Sequence, residues 1–335
     1  MELLTEWRNL YEHAQKIREV EPWQFMEEPD IFGVQNPVNN EIGYCCVMGG
    51  LGELLGMAIY LGAEGLEGYR KMASGEITGE NPSDMMVQKC LMVTFENRDC
   101  LEKEDLAVIK KLGLKFRGSN RWPLFRSYLP GYYPWFLNKE EVIFLSHVLE
   151  QAVLVIDRFD KDERILTAPR QDQYLVRSSE SGPSGLKWLD QWMEPAPQRK
   201  AVVPIPQINE LLLHKIKKGS SRLQSTWEIE LCHAPFPVGE GGRPFYPYFS
   251  MILDTDSKYI LGSNVFPLTE YETDFQEQIL TLIEDRGVFP KEIHVDREEV
   301  RSLIAPIADA LDIKIKLLKT LPGVSVALKE LSTFI

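Results

Sequence analysis

Three aspartates stand where predicted strands end. In SMILDTDSKYILGSNVFPLTE (250–270) a strand runs into Asp254 and then into a turn carrying Asp256, and in KEIHVDREEV (291–300) a short strand delivers Asp296. Carboxylates that converge at a sheet edge can hold divalent ions about 4 Å apart, activate water and stabilise a leaving oxygen. Mg²⁺, or Mn²⁺ in its place, suits such a site because it is a hard ion that demands oxygen ligands. Asp254 or Asp256 would be the first ligand and Asp296 the second. Glu330 on the last predicted helix is the candidate third, with Glu270, Glu272 and Asp274 as the other acids in reach of the sequence pattern. His294, two residues before Asp296, could steer a water as a general base. The same residues have a plainer use: Asp closes turns such as DTDSK, and Asp296 could cap a helix starting near Glu298.

A second constellation is aromatic. Trp122, Phe125, Tyr128, Tyr132, Tyr133, Trp135 and Phe136 interleave with Arg121 and Arg126. That mixture suits stacking on bases or gripping a peptide, or it forms a packing seam between the two halves of the chain. Its binding candidates are Trp122, Arg126, Tyr132, Tyr133 and Trp135. The glycine-rich VMGGLGELLG (47–56) has neither GxxxxGK[ST] nor GxGxxG and precedes a strand, so a hairpin connection is expected. The histidines are scattered, and HExxH, GxSxG and CxxC are absent.

These residues need a frame. Apolar positions from Leu3 to Ile17 recur at helical spacing. Short strands are expected at 31–35, 43–49, 55–62 and 89–97, with helices at 63–74 and 103–112. Asn138 followed by Glu141 forms a capping box for a helix from 139 to about 158. Pro and charge accumulate in MEPAPQRKAVVPIP (193–206), the best boundary. Beyond it lie a helix at 207–217 and an alternating strand at 225–233. Three meandering strands follow (249–255, 258–263, 264–268), then helix 273–286, strand 292–295, helix 298–311, strand 313–318 and helix 323–332. The expected fold class is α+β. The N-terminal α+β domain (1–195, with a subdivision near 120–138) has a mostly antiparallel sheet. The C-terminal domain (200–335) has the element order of the ribonuclease-H-like α/β fold, with a mixed sheet.

Composition sets limits. With 44% hydrophobic and 26% charged residues the chain can close ordinary cores, and no stretch resembles an apolar span of about 20 residues. Membrane insertion is therefore not expected, and five cysteines without a framework point to a reducing cytoplasm. The net charge of −13 gives only weak support to nucleic acid as a partner. Charge is uneven, however: KKLGLKFRGSNRWPLFR (110–126) holds six Lys or Arg and no acid. Residues 199–222 hold six against the single Glu210. If the two segments met, they could line a phosphate-binding stripe.

PWQFMEEPDIFGVQNPVNNEIGYCCVMGGLGELLGMAIYLG (22–62) and YPYFSMILDTDSKYILG (246–262) resemble bacterial proteins, chiefly of the Firmicutes, that carry uncharacterised domains. One such domain covers roughly the N-terminal half and another the C-terminal third. The resemblance implies a stable two-part architecture and assigns no activity. The expected function is that of a non-catalytic cytoplasmic binding or accessory protein with a protein or small-molecule partner and no cofactor. The alternative is a divalent-metal-dependent phosphodiesterase or nuclease using Asp254 and Asp296.

Overall fold

The computed structural model describes residues 2–50, 52, 54–77, 86–182, 185–197, 207–239 and 241–331. The chain divides into two compact units, Met1–Arg199 and Lys200–Ile335. Most of the proline-rich stretch 193–206 lies outside the described residues, as do Leu51 and Glu53 of the glycine-rich segment.

In the first unit a seven-stranded sheet has the order β5-β4-β3-β2-β1-β6-β7. Its strands are β1 (Phe32–Gln35), β2 (Ile42–Met48), β3 (Gly56–Leu61), β4 (Cys90–Glu96), β5 (Trp122–Tyr128), β6 (Tyr174–Gly182) and β7 (Gly185–Met193). β1 and β6 pair in parallel and the other neighbours run antiparallel, so the sheet is mixed where a mostly antiparallel one was expected. The reason is the long return through the helix at 139–159, which delivers β6 beside β1 in the same direction.

Both faces of this sheet are covered. Cys45, Val47, Met57, Ile59, Leu91 and Val93 face α1 (Glu2–Val20) and the long helix Lys139–Phe159. Tyr44, Cys46, Ala58, Tyr60 and Cys90 face Leu66 and Tyr69 of α2 (Gly62–Ala73). Burial on both sides explains why IGYCCVM reads as an unbroken apolar run rather than an alternation. β2 and β3 form the expected hairpin, and Gly56 lets β4 lie close against β3: a Cβ there would sit 2.2 Å from the Val93 carbonyl oxygen. Helix α3 (Lys103–Leu112) precedes β5, and α4 (Lys139–Phe159) opens on the expected capping box, Asn138 Oδ1 accepting from Glu141 N at 2.9 Å and Glu141 Oε2 from Asn138 N at 2.8 Å. β5 and β7 were not expected. Trp and Pro obscure the strand pattern of WPLFRSY, and most of β7 is exposed or half-buried and lacks an alternating apolar face.

The second unit has a five-stranded sheet, β11-β10-β9-β13-β14. The strands are β9 (Thr226–His233), β10 (Tyr248–Asp254), β11 (Ile260–Phe266), β13 (Glu292–Val295) and β14 (Lys314–Leu317); β8 (Ser221–Arg222) and β12 (Val288–Phe289) form a separate parallel pair. β9, β10 and β11 meander antiparallel, while β13 lies parallel to β9 and β14 parallel to β13. Helices α5 (Glu210–Gly219), α6 (Tyr271–Arg286) and α7 (Glu298–Leu311) share the core with Trp227, Ile229, Leu231, Ile252, Ile293 and Val295. The opposite face packs Met251 and Leu253 against Leu321 and Val324, where α8 (Pro322–Leu331) begins.

The meander thus starts one strand earlier than its sequence reading. What looked like strands at 258–263 and 264–268 is the single strand β11, and the alternating segment at 225–233 is the first strand of the sheet rather than a separate element. Helix α6 starts at Tyr271, two residues ahead of the expected 273, after Glu270 in the left-handed region (φ 67°).

Candidate functional site

The sheet of the second unit presents a polar face built by alternation. Trp227, Ile229 and Leu231 point into the core, so Glu228, Glu230 and Cys232 point the other way. On β13, Ile293 and Val295 point into the same core, leaving Glu292, His294 and then Asp296 opposite. Register sets His294 beside Glu228 on one side and beside Lys316 on the other.

Every carboxylate of this group has a partner. Glu228 is buried, and its Oε2 accepts from Val324 N at 2.9 Å, satisfying one of the open N–H groups at the start of α8. Gly323 allows the helix so close, because a Cβ would meet Glu228 Oε2 at 2.9 Å and Leu253 Cδ2 at 2.8 Å. Glu230 is paired with the Arg297 guanidinium, whose Nε lies 3.4 Å from Asp296 Oδ1. Burial pushes the Glu230 carboxyl above the usual range and Asp296 adds to this, while Arg297 pulls it back without cancelling the rise. Burial likewise works against the charge on Arg297, but Glu230 and Asp296 outweigh it and hold the guanidinium above its ordinary value. At the neighbouring row Glu292 accepts from Lys316 at 2.6 Å and meets His294 Nε2 at 2.6 Å. The Lys316 hydrogen bond is the main cause that holds this carboxyl below the usual range; slight burial opposes it and His294 adds to it.

The expected pair Asp254 and Asp296 is not brought together. β10 runs antiparallel to β9 and β13 runs parallel to it, so the two strands end at opposite edges of the sheet. Asp254 shares a row with Trp227 and Ile293; two strand spacings and three residues of rise put it about 14 Å from Asp296 along the backbone. It also faces the α6–α7 side, whereas Asp296 follows the opposite alternation. Two carboxylates placed so cannot share an ion whose oxygen ligands lie about 2.1 Å away.

Asp254 instead closes its turn. Its Oδ1 accepts from Asp256 N (3.1 Å), Ser257 N (2.8 Å) and Ser257 Oγ (2.8 Å). Burial pushes this carboxyl up, and the Ser257 and Asp256 hydrogen bonds outweigh it, holding it below the usual range. Asp256 is an exposed residue of the turn, and Glu330 is exposed on α8. Among the described residues no group of three or more His, Cys, Asp or Glu is placed to hold a metal ion. The mistaken pairing came from counting the meander from 249. Glu228 and Glu230 were legible in the alternation of STWEIELCH, once that segment is taken as the strand beside β13.

The aromatic constellation is mostly internal packing of the first unit. Trp122 lies 5.6 Å from Phe116 and under the Arg98 guanidinium. Arg126 is buried, donates to both oxygens of Asp105 (2.9 Å each) and to Glu102 (3.0 Å), and lies 4.6 Å over Phe136. Trp135 pairs its backbone with Ser127 and its ring with Phe136. Tyr132 and Tyr133 are exposed.

Comparison with known proteins adds two matches. Residues 7–177 match the model of a domain of unknown function (DUF7309), and residues 212–332 that of a second domain of unknown function (DUF6930). A search of curated proteins found no match. The first match spans just over half of the sequence, so the chain belongs to the DUF7309 family.

Proposed function

We propose that the protein is a non-catalytic binding or accessory protein, and that its second unit is a ribonuclease-H-like domain in which a guanidinium stands where catalytic metal would be held. What supports the frame is the strand order, with the first strand β9 flanked by β10 and by β13, the fourth strand of the main sheet in chain order, which runs parallel to it. In catalytic members of that fold a carboxylate on the first strand meets another at the end of the fourth. Glu230 and Asp296 occupy those positions here, and the observation that carries the reading is Arg297 between them. A fixed cation already occupies the space between the two carboxylates and offsets part of their charge, so a divalent ion would have to displace a half-buried guanidinium. The donor set, with a guanidinium between its carboxylates, does not fit Mg²⁺ or Mn²⁺.

The domains are taken as 1–195 and 200–335, in keeping with the two compact units. A bacterial cytoplasm is the inferred setting: the sequence resemblance supports the origin, and the cysteines support the compartment, since all five are free. No described helix is long and apolar enough to cross a membrane.

The test is titration of Mn²⁺ and Mg²⁺ into the full chain beside the Glu230→Gln/Asp296→Asn variant, with cleavage of a labelled oligonucleotide assayed in parallel. The expected result is no saturable heat that depends on these two residues, and no cleavage. Saturable Mn²⁺ binding abolished in the variant would overturn the reading.

A further inference from the structure

The basic segment 110–126 distributes its charges unevenly. Arg126 is fully engaged with Asp105 and Glu102, as described above. Lys115, Arg117 and Arg121, on the connection between α3 and β5, are exposed, and their side chains make no hydrogen bond or ion pair to any described residue. They line one notch of about 130 Å³ together with Arg18 and Glu19 of α1, walled by Phe95 and Phe116.

Two features make this notch a prepared one. Arg18 is held in place: its Nε donates to Asn120 O at 2.9 Å, it pairs with Glu21, and it lies 5.5 Å over Trp23. The loop is pinned as well. Gly118 (φ 97°) and Asn120 (φ 52°) turn it through the left-handed region, and Asn97 Oδ1 accepts from Ser119 Oγ at 2.8 Å and from Asn120 N at 3.1 Å. Arg18 thus has its counter-charge in Glu21, whereas Lys115, Arg117 and Arg121 have none among the described residues, and Glu19, which also lines the notch, forms no ion pair with them. On a chain of net charge −13 abundant acids could have supplied a counter-charge to these three as well, and none is placed to do so among the described residues.

We propose that this notch binds a single phosphate group, either that of a small phosphomonoester or free phosphate. Guanidinium forks match phosphate oxygens in pairs. The buried Phe95 and Phe116 rings exclude water from one wall, which strengthens charge interactions there. The notch has room for a single group, and the surrounding acidic protein repels a long polyanion. The proposal rests on the binding-protein reading for its purpose, but its test involves no metal and no residue of the second unit, so either can fail alone.

The experiment is calorimetric titration of the full chain at low salt with three probes: inorganic phosphate, phenyl phosphate and a short single-stranded DNA oligonucleotide. Each is repeated on Arg117→Ala/Arg121→Ala, on Lys115→Ala, and on Arg164→Ala as an exposed arginine outside the notch. Saturable binding of phosphate or phenyl phosphate, weakened about tenfold or more in the double variant and unchanged in Arg164→Ala, is expected. Tighter binding of phenyl phosphate identifies a phosphomonoester as the ligand, and equal binding identifies free phosphate. No binding of either probe, equal affinity in wild type and double variant, or oligonucleotide binding through the same arginines tighter than phenyl phosphate would overturn the proposal.

Discussion

The polar face of the second sheet and the basic notch of the first unit use the same residue types to opposite ends. On the sheet, Arg297 meets Glu230 and Asp296, Lys316 meets Glu292, and Glu228 meets the start of a helix. In the notch, Lys115, Arg117 and Arg121 meet no described carboxylate. A charge whose counter-charge is built in holds structure together and is closed to ligands; a charge held in place without one is available to bind. Residue type and spacing therefore say little about which of the two a charged cluster does.

The comparison predicts that one substitution, Arg to Ala, has a large effect where the charge is closed and almost none where it is open. Arg126→Ala should show the largest loss, about 4 kcal/mol, because it strands the nearly buried Asp105 without its cation. Asp105 also accepts from Glu102 N at 3.0 Å in the capping box of α3, so the start of that helix is disturbed too. Urea unfolding followed by circular dichroism measures this, and a loss below about 1 kcal/mol would show that the pair is only a surface ion pair. Arg297→Ala comes next, at about 3 kcal/mol, since Glu230 would remain buried without its cation. Adding Glu230→Gln should recover much of the loss by removing the stranded charge. A double variant no more stable than Arg297→Ala alone would rule out neutralisation as the role of Arg297.

Asp254 gives a smaller effect with a pH signature. Its folded carboxyl is held below the ordinary value, so the charged form is the one that the fold favours. A depressed acid contributes stability that is fully present above its unfolded value, about 3.9, and is lost as pH falls through the folded value. Asp254→Ala should therefore cost about 1.5 kcal/mol at neutral pH, for the lost turn hydrogen bonds. Below that value the difference from wild type should narrow. A gap that is constant from neutral to acid pH would mean that the carboxylate charge contributes nothing.

Local signals carried most of the fold. Asn138 and Glu141 marked the start of α4 because a capping box acts over three residues, and the helical spacing from Leu3 to Ile17 marked α1. The order of strands in a sheet is not a local property. The alternation of STWEIELCH was visible, but whether β9 or β10 lies beside β13 depends on pairing between residues more than sixty positions apart. That one step moved the first-strand carboxylate from Asp254 to Glu230. The notch was half legible: the run of six basic residues stood out, while Arg18, nearly a hundred residues before Arg117, joins them only through the packing of α1 against the sheet.

The smallest expected effect is also the sharpest. Arg117→Ala removes an exposed side chain with no partner among the described residues, so its stability should stay within about 0.5 kcal/mol of wild type. Removing one of four clustered cations also relieves a weak mutual repulsion, so any change should be a gain at low salt that fades as salt screens the charges. Unfolding midpoints at low and high salt measure both. A clear destabilisation that salt does not alter would show that Arg117 packs or bonds as Arg126 does, and the contrast between open and closed charge would then fail at the residue on which it most depends.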